Sequence, residues 1–153
     1  MASDPFLEPI SRLGRLDFLQ AEEGLSYRDS LELMRERGLG SVLVCRGGKL
    51  TGIFTERDIL NKLVLEAPPA NTPVREFMTR PVVTAGEGAT VGDAVRLMHG
   101  KHIRNLPIVD AEGRPKGLLT VGRIIRLLAD HYPAEVVNLP PKPGQVTEEV
   151  EGA

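Results

Sequence analysis

Thr55 and Asp58 are the residues in this chain best placed to do chemistry. They end the run Gly52-Ile-Phe-Thr-Glu-Arg-Asp58, where an apolar stretch gives way to charged residues, the pattern of a strand handing over to a helix. A hydroxyl at such a junction lies beside backbone N–H groups that have no partner within the helix, which suits a phosphate. A carboxylate three residues on offers two acceptor oxygens, the complement of the paired hydroxyls of ribose. The same Thr-x-x-Asp spacing also caps a helix with no ligand present, stabilising it by roughly 1 kcal/mol. Spacing supports no catalytic or metal chemistry. His99, His102 and His131 lack a carboxylate or cysteine at metal-ligand spacing, no serine or cysteine sits in a nucleophile turn, and there is no Walker-type glycine loop. The chain is therefore expected not to be an enzyme and to need neither a metal nor a cofactor.

The elements that must position these residues occur twice. Phe18-Leu-Gln-Ala-Glu-Glu-Gly-Leu-Ser-Tyr-Arg-Asp-Ser-Leu-Glu-Leu-Met34 runs in step with Val82-Val-Thr-Ala-Gly-Glu-Gly-Ala-Thr-Val-Gly-Asp-Ala-Val-Arg-Leu-Met98, at an offset of 64 residues. The register slips by one residue in a turn and resumes at Gly52-Ile-Phe-Thr55 and Gly117-Leu-Leu-Thr120. Two copies are too few for a solenoid, so the units must bury their faces against each other, and the seam is a natural ligand cleft. Each copy reads as strand, helix, strand, strand, helix. Ser26…Asp29 and Thr90…Asp93 approach the capping box, and Tyr27, Leu31 and Met34 share a helix face with Val91, Val95 and Met98 as their counterparts. Gly38 and Gly100 supply stop signals. Ser41 to Cys45 and Leu106 to Val109 read as buried strands, followed by turns at Arg46-Gly-Gly-Lys49 and Asp110-Ala-Glu-Gly-Arg114. The second helices carry Ile59, Leu60, Leu63 and Val64, then Ile124, Ile125 and Leu128.

These signals divide the chain into a lead-in over 1–14, repeat one over 15–66, a linker and lead-in over 67–80, repeat two over 81–132, and a tail over 133–153. Prolines in Glu66-Ala-Pro-Pro-Ala-Asn-Thr-Pro73 end the first repeat, and short helical lead-ins are expected in Pro9 to Arg15 and Val74 to Pro81. The tail, rich in Pro and Glu, is expected to be partly disordered, with Val136, Val137 and Leu139 the residues able to dock. Lys and Arg number 19 against 21 Asp and Glu in 153 residues, with no basic helix or tail, so no nucleic-acid partner is expected. Apolar runs fall well short of the roughly 20 residues that span a bilayer, and the first residues lack the pattern of a signal peptide. With Cys45 as the single cysteine, a cytoplasmic location is expected, and a strand position makes that thiol a core side chain.

Taken together, Gly52 to Asp58, Ile103-Arg-Asn-Leu-Pro-Ile-Val-Asp110 and Gly117 to Thr120 resemble the tandem CBS (cystathionine-β-synthase-like) pair, or Bateman module, over roughly residues 15 to 132. The resemblance implies a mixed α/β fold, two β-α-β-β-α units packed with pseudo-twofold symmetry, regulatory roles and adenosine-type ligands in clefts between units. It implies that Asp58 contacts ribose and that Arg104 reaches across the seam to phosphate, a position held in the first copy by Gly40. The adenine walls would be Leu19, Gln20 and Ala21 with Leu39, Gly40 and Ser41. A second, weaker cleft would involve Thr84, Ile103, Thr120 and Arg123. There Arg123 replaces the acid, and a guanidinium, having donors only, cannot accept ribose hydroxyls although it can meet an anion.

The expected function is a regulatory module that binds AMP, ADP or ATP, or S-adenosylmethionine, and signals occupancy to a separate, unknown regulated protein. A homodimer is expected from the resemblance. The competing expectation is a dimerisation or interaction scaffold without a physiological ligand, in which Thr55 and Asp58 serve only as caps.

Overall fold

The structure, a computed structural model, describes residues 4–131. The expectations for the tail, including Val136, Val137 and Leu139, lie outside the described residues.

Each copy folds as its pattern of residues requires. In repeat one, β1 (Gln20–Glu22) runs parallel to β2 (Ser41–Arg46), which pairs antiparallel with β3 (Lys49–Thr55). The helix α1 (Tyr27–Arg37) makes the crossover between β1 and β2. Repeat two follows the same order, with β4 (Ala85–Gly86), α3 (Val91–Lys101), β5 (Asn105–Val109) and β6 (Pro115–Thr120), where α2 (Glu56–Asp58) closes the first repeat and α4 (Val121–His131) the second. The register shifts between Val44 and Cys45 in one hairpin and between Ile108 and Val109 in the other, so even the irregularity is duplicated.

The helix signals hold at their starts. Ser26 Oγ accepts from the Asp29 amide at 3.1 Å, and Thr90 with Asp93 forms the full reciprocal box. At the ends the copies differ. Gly38 stops α1 in the left-handed region at φ 65°, but α3 runs through Gly100 and ends instead at His102, φ 55°. An internal glycine costs a helix only about 1 kcal/mol. Here the chain turns two residues later, at the position equivalent to Gly38, where the Ile103 amide bonds the Met98 carbonyl at 3.0 Å and Ile103 reaches the second core. The second helix of repeat one is also less regular than expected: α2 is a single turn continued by a π turn over Ile59–Leu63.

The lead-ins are exchanged between the repeats. Val74, Phe77 and Met78 of the second lead-in pack in the core of repeat one with Leu19, Met34, Val42 and Phe54. Ile10, Leu13 and Leu16 of the first pack in the core of repeat two with Met98, Leu106 and Leu119. Backbone bonds fix both straps: Ile10 N to Ala89 O at 2.8 Å, and Val74 N to Leu25 O at 2.7 Å. A third cluster of Leu43, Ile53 and Leu118 forms the seam, bordered by Phe18, Leu50 and Val82, and the Leu50 amide bonds Gly113 O across it at 2.9 Å. Both anticipated lead-in turns are present, at Ile10–Arg12 and Val74–Glu76.

Candidate functional site

The Thr55–Asp58 junction forms because β3 ends extended at Thr55 and the chain turns at once into α2. Thr55 N donates to Asp58 Oδ2 at 2.9 Å, its hydroxyl lies 3.2 Å from the same oxygen, and the Asp58 amide returns a bond to Thr55 Oγ1 at 3.4 Å. This is a complete capping box. The carboxylate has further partners. Thr79 Oγ1 donates to Asp58 Oδ1 at 2.7 Å, and Lys62 Nζ reaches the same oxygen at 2.9 Å. Asp58 is only 3% exposed, and the two oxygens carry four contacts, which fills the roughly four lone-pair positions of a carboxylate.

Those partners come from two directions. Lys62 is four residues on, in the π turn that continues α2, and also donates to the Phe77 carbonyl at 2.8 Å. Thr79 belongs to the segment joining the repeats, and paired amide bonds with Ile53, 3.0 and 2.7 Å, hold it against the edge of β3. The sequence reasoning missed both residues. The i,i+4 spacing of Asp58 and Lys62 was a readable signal for the first. Thr79 had none, because only the exchange of lead-ins brings it there.

The second copy is built differently. Thr120 Oγ1 accepts from the Arg123 amide at 3.1 Å, keeping the cap, while the Arg123 guanidinium turns to the first lead-in and donates to Leu13 O at 2.8 Å. Leu13 and Phe77 are 64 residues apart, the offset of the repeat, so Arg123 bonds the carbonyl equivalent to the one Lys62 bonds. Arg123 therefore stands at the acid's position in sequence but does the lysine's work in space.

The remaining site residues are dispersed. Arg104 is exposed, and among the described residues its side chain has no hydrogen bond or ion pair. Its carbonyl accepts from Val121 N at 3.2 Å, as Gly40 O accepts from Glu56 N at 3.2 Å. The Glu56 carboxylate fills the space that a Cβ on Gly40 would take. Leu39, Gly40 and Glu56, with Met34 and Arg35, line a pocket of about 330 Å³ beside the junction. Leu19 and Ala21 are buried in the first core, Gln20 is exposed on β1, and Ser41 is buried opposite Thr55. Thr84 lines another pocket of about 300 Å³ at the seam with Leu50, Thr51 and Val82, whereas Ile103 packs on the second core.

Among the described residues no group of three or more His, Cys, Asp or Glu could hold a metal, and no helix is long and apolar enough to cross a membrane. Burial, reinforced by the charge of Glu22, pushes the Cys45 thiol up to about 11, which removes it as a nucleophile near neutral pH.

Comparison with known proteins places this geometry in a family. The CBS domain matches twice, over residues 11–65 and 74–130. An uncharacterised protein of Methanopyrus kandleri is 41% identical over 96 residues, 61% of this chain and 49% of that protein. The inosine-5'-monophosphate dehydrogenase of Thermoplasma acidophilum is 36% identical over 61% of this chain but only 18% of its own length. The chain thus spans about half, or much less, of these curated relatives. Among solved structures, the CBS domain pair of protein MJ0100, in complex with 5'-methylthioadenosine and S-adenosyl-L-methionine, superposes with a TM-score of 0.72 at 25% identity, covering 81% of this chain and 98% of that one. Two matched repeats, two three-stranded sheets and a shared seam show that the chain belongs to the CBS domain family, as a tandem pair.

Proposed function

We propose that the protein is a non-catalytic sensor that binds an adenosine nucleotide of the AMP, ADP or ATP type, or S-adenosylmethionine, between its repeats and transmits occupancy to a separate protein. The observation that carries this reading is Asp58: a carboxylate buried at a strand-to-helix junction and in contact with the segment that joins the two repeats. Asp58 accepts the ribose hydroxyls, Thr55 and Arg104 serve the phosphate, and Leu39 and Gly40 flank the base. The adenosyl ligands of MJ0100 support this ligand class. The Arg123 side is the weaker cleft, because part of that guanidinium is already committed to Leu13 O. The sensor works by differential binding, shifting the protein's conformational population only as far as the ligand prefers one state.

Calorimetric titration of the full chain with adenosine, AMP, ADP, ATP and S-adenosylmethionine tests the reading. Saturable binding that Asp58→Asn removes supports it; absence of binding to the whole panel refutes it.

The second reading, a scaffold without a ligand, is favoured by the complete occupation of Asp58 by protein donors. Apolar residues on the second helices also stay uncovered: Leu60 is 67% exposed, Val64 62% and Ile125 60%. A second copy of the chain covering this face accounts for that exposure. Leu60→Asp with Ile125→Asp then halves the mass measured by light scattering, and a wild-type mass of a single chain removes the dimer.

A further inference from the structure

Asp58 can receive a ribose diol only by losing partners that it already holds. Oδ2 is committed to the Thr55 cap, so the exchangeable oxygen is Oδ1, which accepts from Thr79 Oγ1 at 2.7 Å and from Lys62 Nζ at 2.9 Å. A vicinal diol brings two O–H donors, matching the two it displaces. Neither displaced group is stranded. The Lys62 side chain is 39% exposed and keeps its bond to Phe77 O, and Thr79 lies at the surface within reach of water. The exchange therefore leaves no buried donor unpaired, which would otherwise oppose it.

We propose that Lys62 and Thr79 form a displaceable latch on Asp58, through which ligand binding loosens the segment joining the repeats; this rests on the nucleotide reading above. That segment is well placed to carry a signal. Val74, Phe77 and Met78 are core residues of repeat one, and three residues beyond Thr79 the chain enters the seam at Val82. Released from Asp58, Thr79 keeps, among the described residues, only its backbone bonds to Ile53. The latch is one-sided. In repeat two Arg123 holds Leu13 O directly, with no acid between them for a diol to capture, so occupancy of that side frees nothing. Lys62 and Thr79 thus set the affinity of the first cleft without being required for the ligand to bind.

The test uses the full-length chain, adenosine as a probe that carries no phosphate for Lys62 to meet, and the variants Lys62→Met and Thr79→Val. Lys62→Met is expected to bind adenosine up to about fivefold more tightly than wild type and Thr79→Val at least about tenfold, the effect of one competing interaction removed in each case. In wild type, saturating adenosine is expected to speed hydrogen exchange at the Thr79 amide. Binding by the variants alone also supports the latch, since it means that the closed form excludes the diol. If wild type binds and both variants bind equally or more weakly, the latch is wrong while the nucleotide reading stands. If neither wild type nor variants bind, both fail. Two variants at different elements guard against one failing to fold.

Discussion

Replacing Asp58 with alanine separates a carboxylate that merely caps a turn from one that ties three pieces of chain together. A cap alone is worth about 1 kcal/mol. The Thr79 bond, short and made to a charged acceptor, adds about 1.5–3 kcal/mol by general experience with such bonds. The Lys62 pair adds at most about 1 kcal/mol, because the lysine is partly solvated and its interaction is screened. These contributions share one carboxylate and do not sum independently, so Asp58→Ala is expected to destabilise the unliganded protein by about 3 kcal/mol. For a domain of this size that lowers Tm by about 6–12 °C. Urea denaturation of the wild type, Asp58→Ala, Thr79→Val and the double variant measures it, with a coupling of about 1–2 kcal/mol expected between the two sites. The internal baseline is Asp93→Ala, since Asp93 makes the same two cap bonds with Thr90 and an exposed ion pair with Arg96, the counterpart of the Lys62 pair, but has no threonine arriving from elsewhere. If Asp58→Ala costs no more than Asp93→Ala and the cycle closes without coupling, Asp58 is only a cap and the joint between the repeats does not depend on it.

Arg104→Ala should weaken AMP and ATP by about tenfold while leaving adenosine nearly unchanged, since the lost contact is charge-assisted and made to phosphate; equal loss for all three ligands in calorimetry would make the arginine structural. Ile10→Ala removes a side chain that is 2% exposed in the core of repeat two and should cost about 2–5 kcal/mol, with hydrogen-exchange protection lost in α3, β5 and β6 before β2 and β3; loss confined to repeat one would contradict the exchange of lead-ins. Burial raises the Cys45 thiol from 9.0 to about 11, so the folded state favours the protonated form. Its contribution to stability is complete below pH 9 and disappears as pH rises through 11, and a thiol reagent at pH 8 should react at the rate of unfolding; rapid labelling of the native protein would refute that placement.

The parts of the fold that the sequence disclosed are those governed by local rules. Hydroxyl and carboxylate at three-residue spacing located the starts of α1, α2 and α3, and the alternation of apolar runs with glycine-bearing turns located β2, β3, β5 and β6. The duplicated register fixed the equivalence of the copies. Competition between neighbouring signals hid the end of α3: the need to return Ile103 to the core outweighed the stop signal at Gly100. The adenine-wall stretches were visible only as apolar strand residues, and burial then separated Leu19 and Ala21 from Leu39 and Gly40. Pattern alone carries no information about that distinction, because both groups lie at the ends of strands.

What lies beyond local rules is the crossing of the lead-ins, and it changes how the asymmetry of the copies should be understood. Along the sequence, Asp58 against Arg123 looks like one ligand-contact position with its charge reversed. In space, each repeat must fasten the strap that arrives from outside it, through the carbonyl of Phe77 in one case and Leu13 in the other. Repeat one does this with a lysine one turn further on, leaving the position three residues after the cap free to be an acid; repeat two does it from that position itself. A guanidinium there is long enough to reach the strap, so no acid is needed to steer it. Restoring an aspartate at 123 would therefore not recreate the first cleft. It would remove the fastening of the first lead-in, and the accompanying change Leu127→Lys, one turn further on as Lys62 is from Asp58, is the substitution needed to replace it.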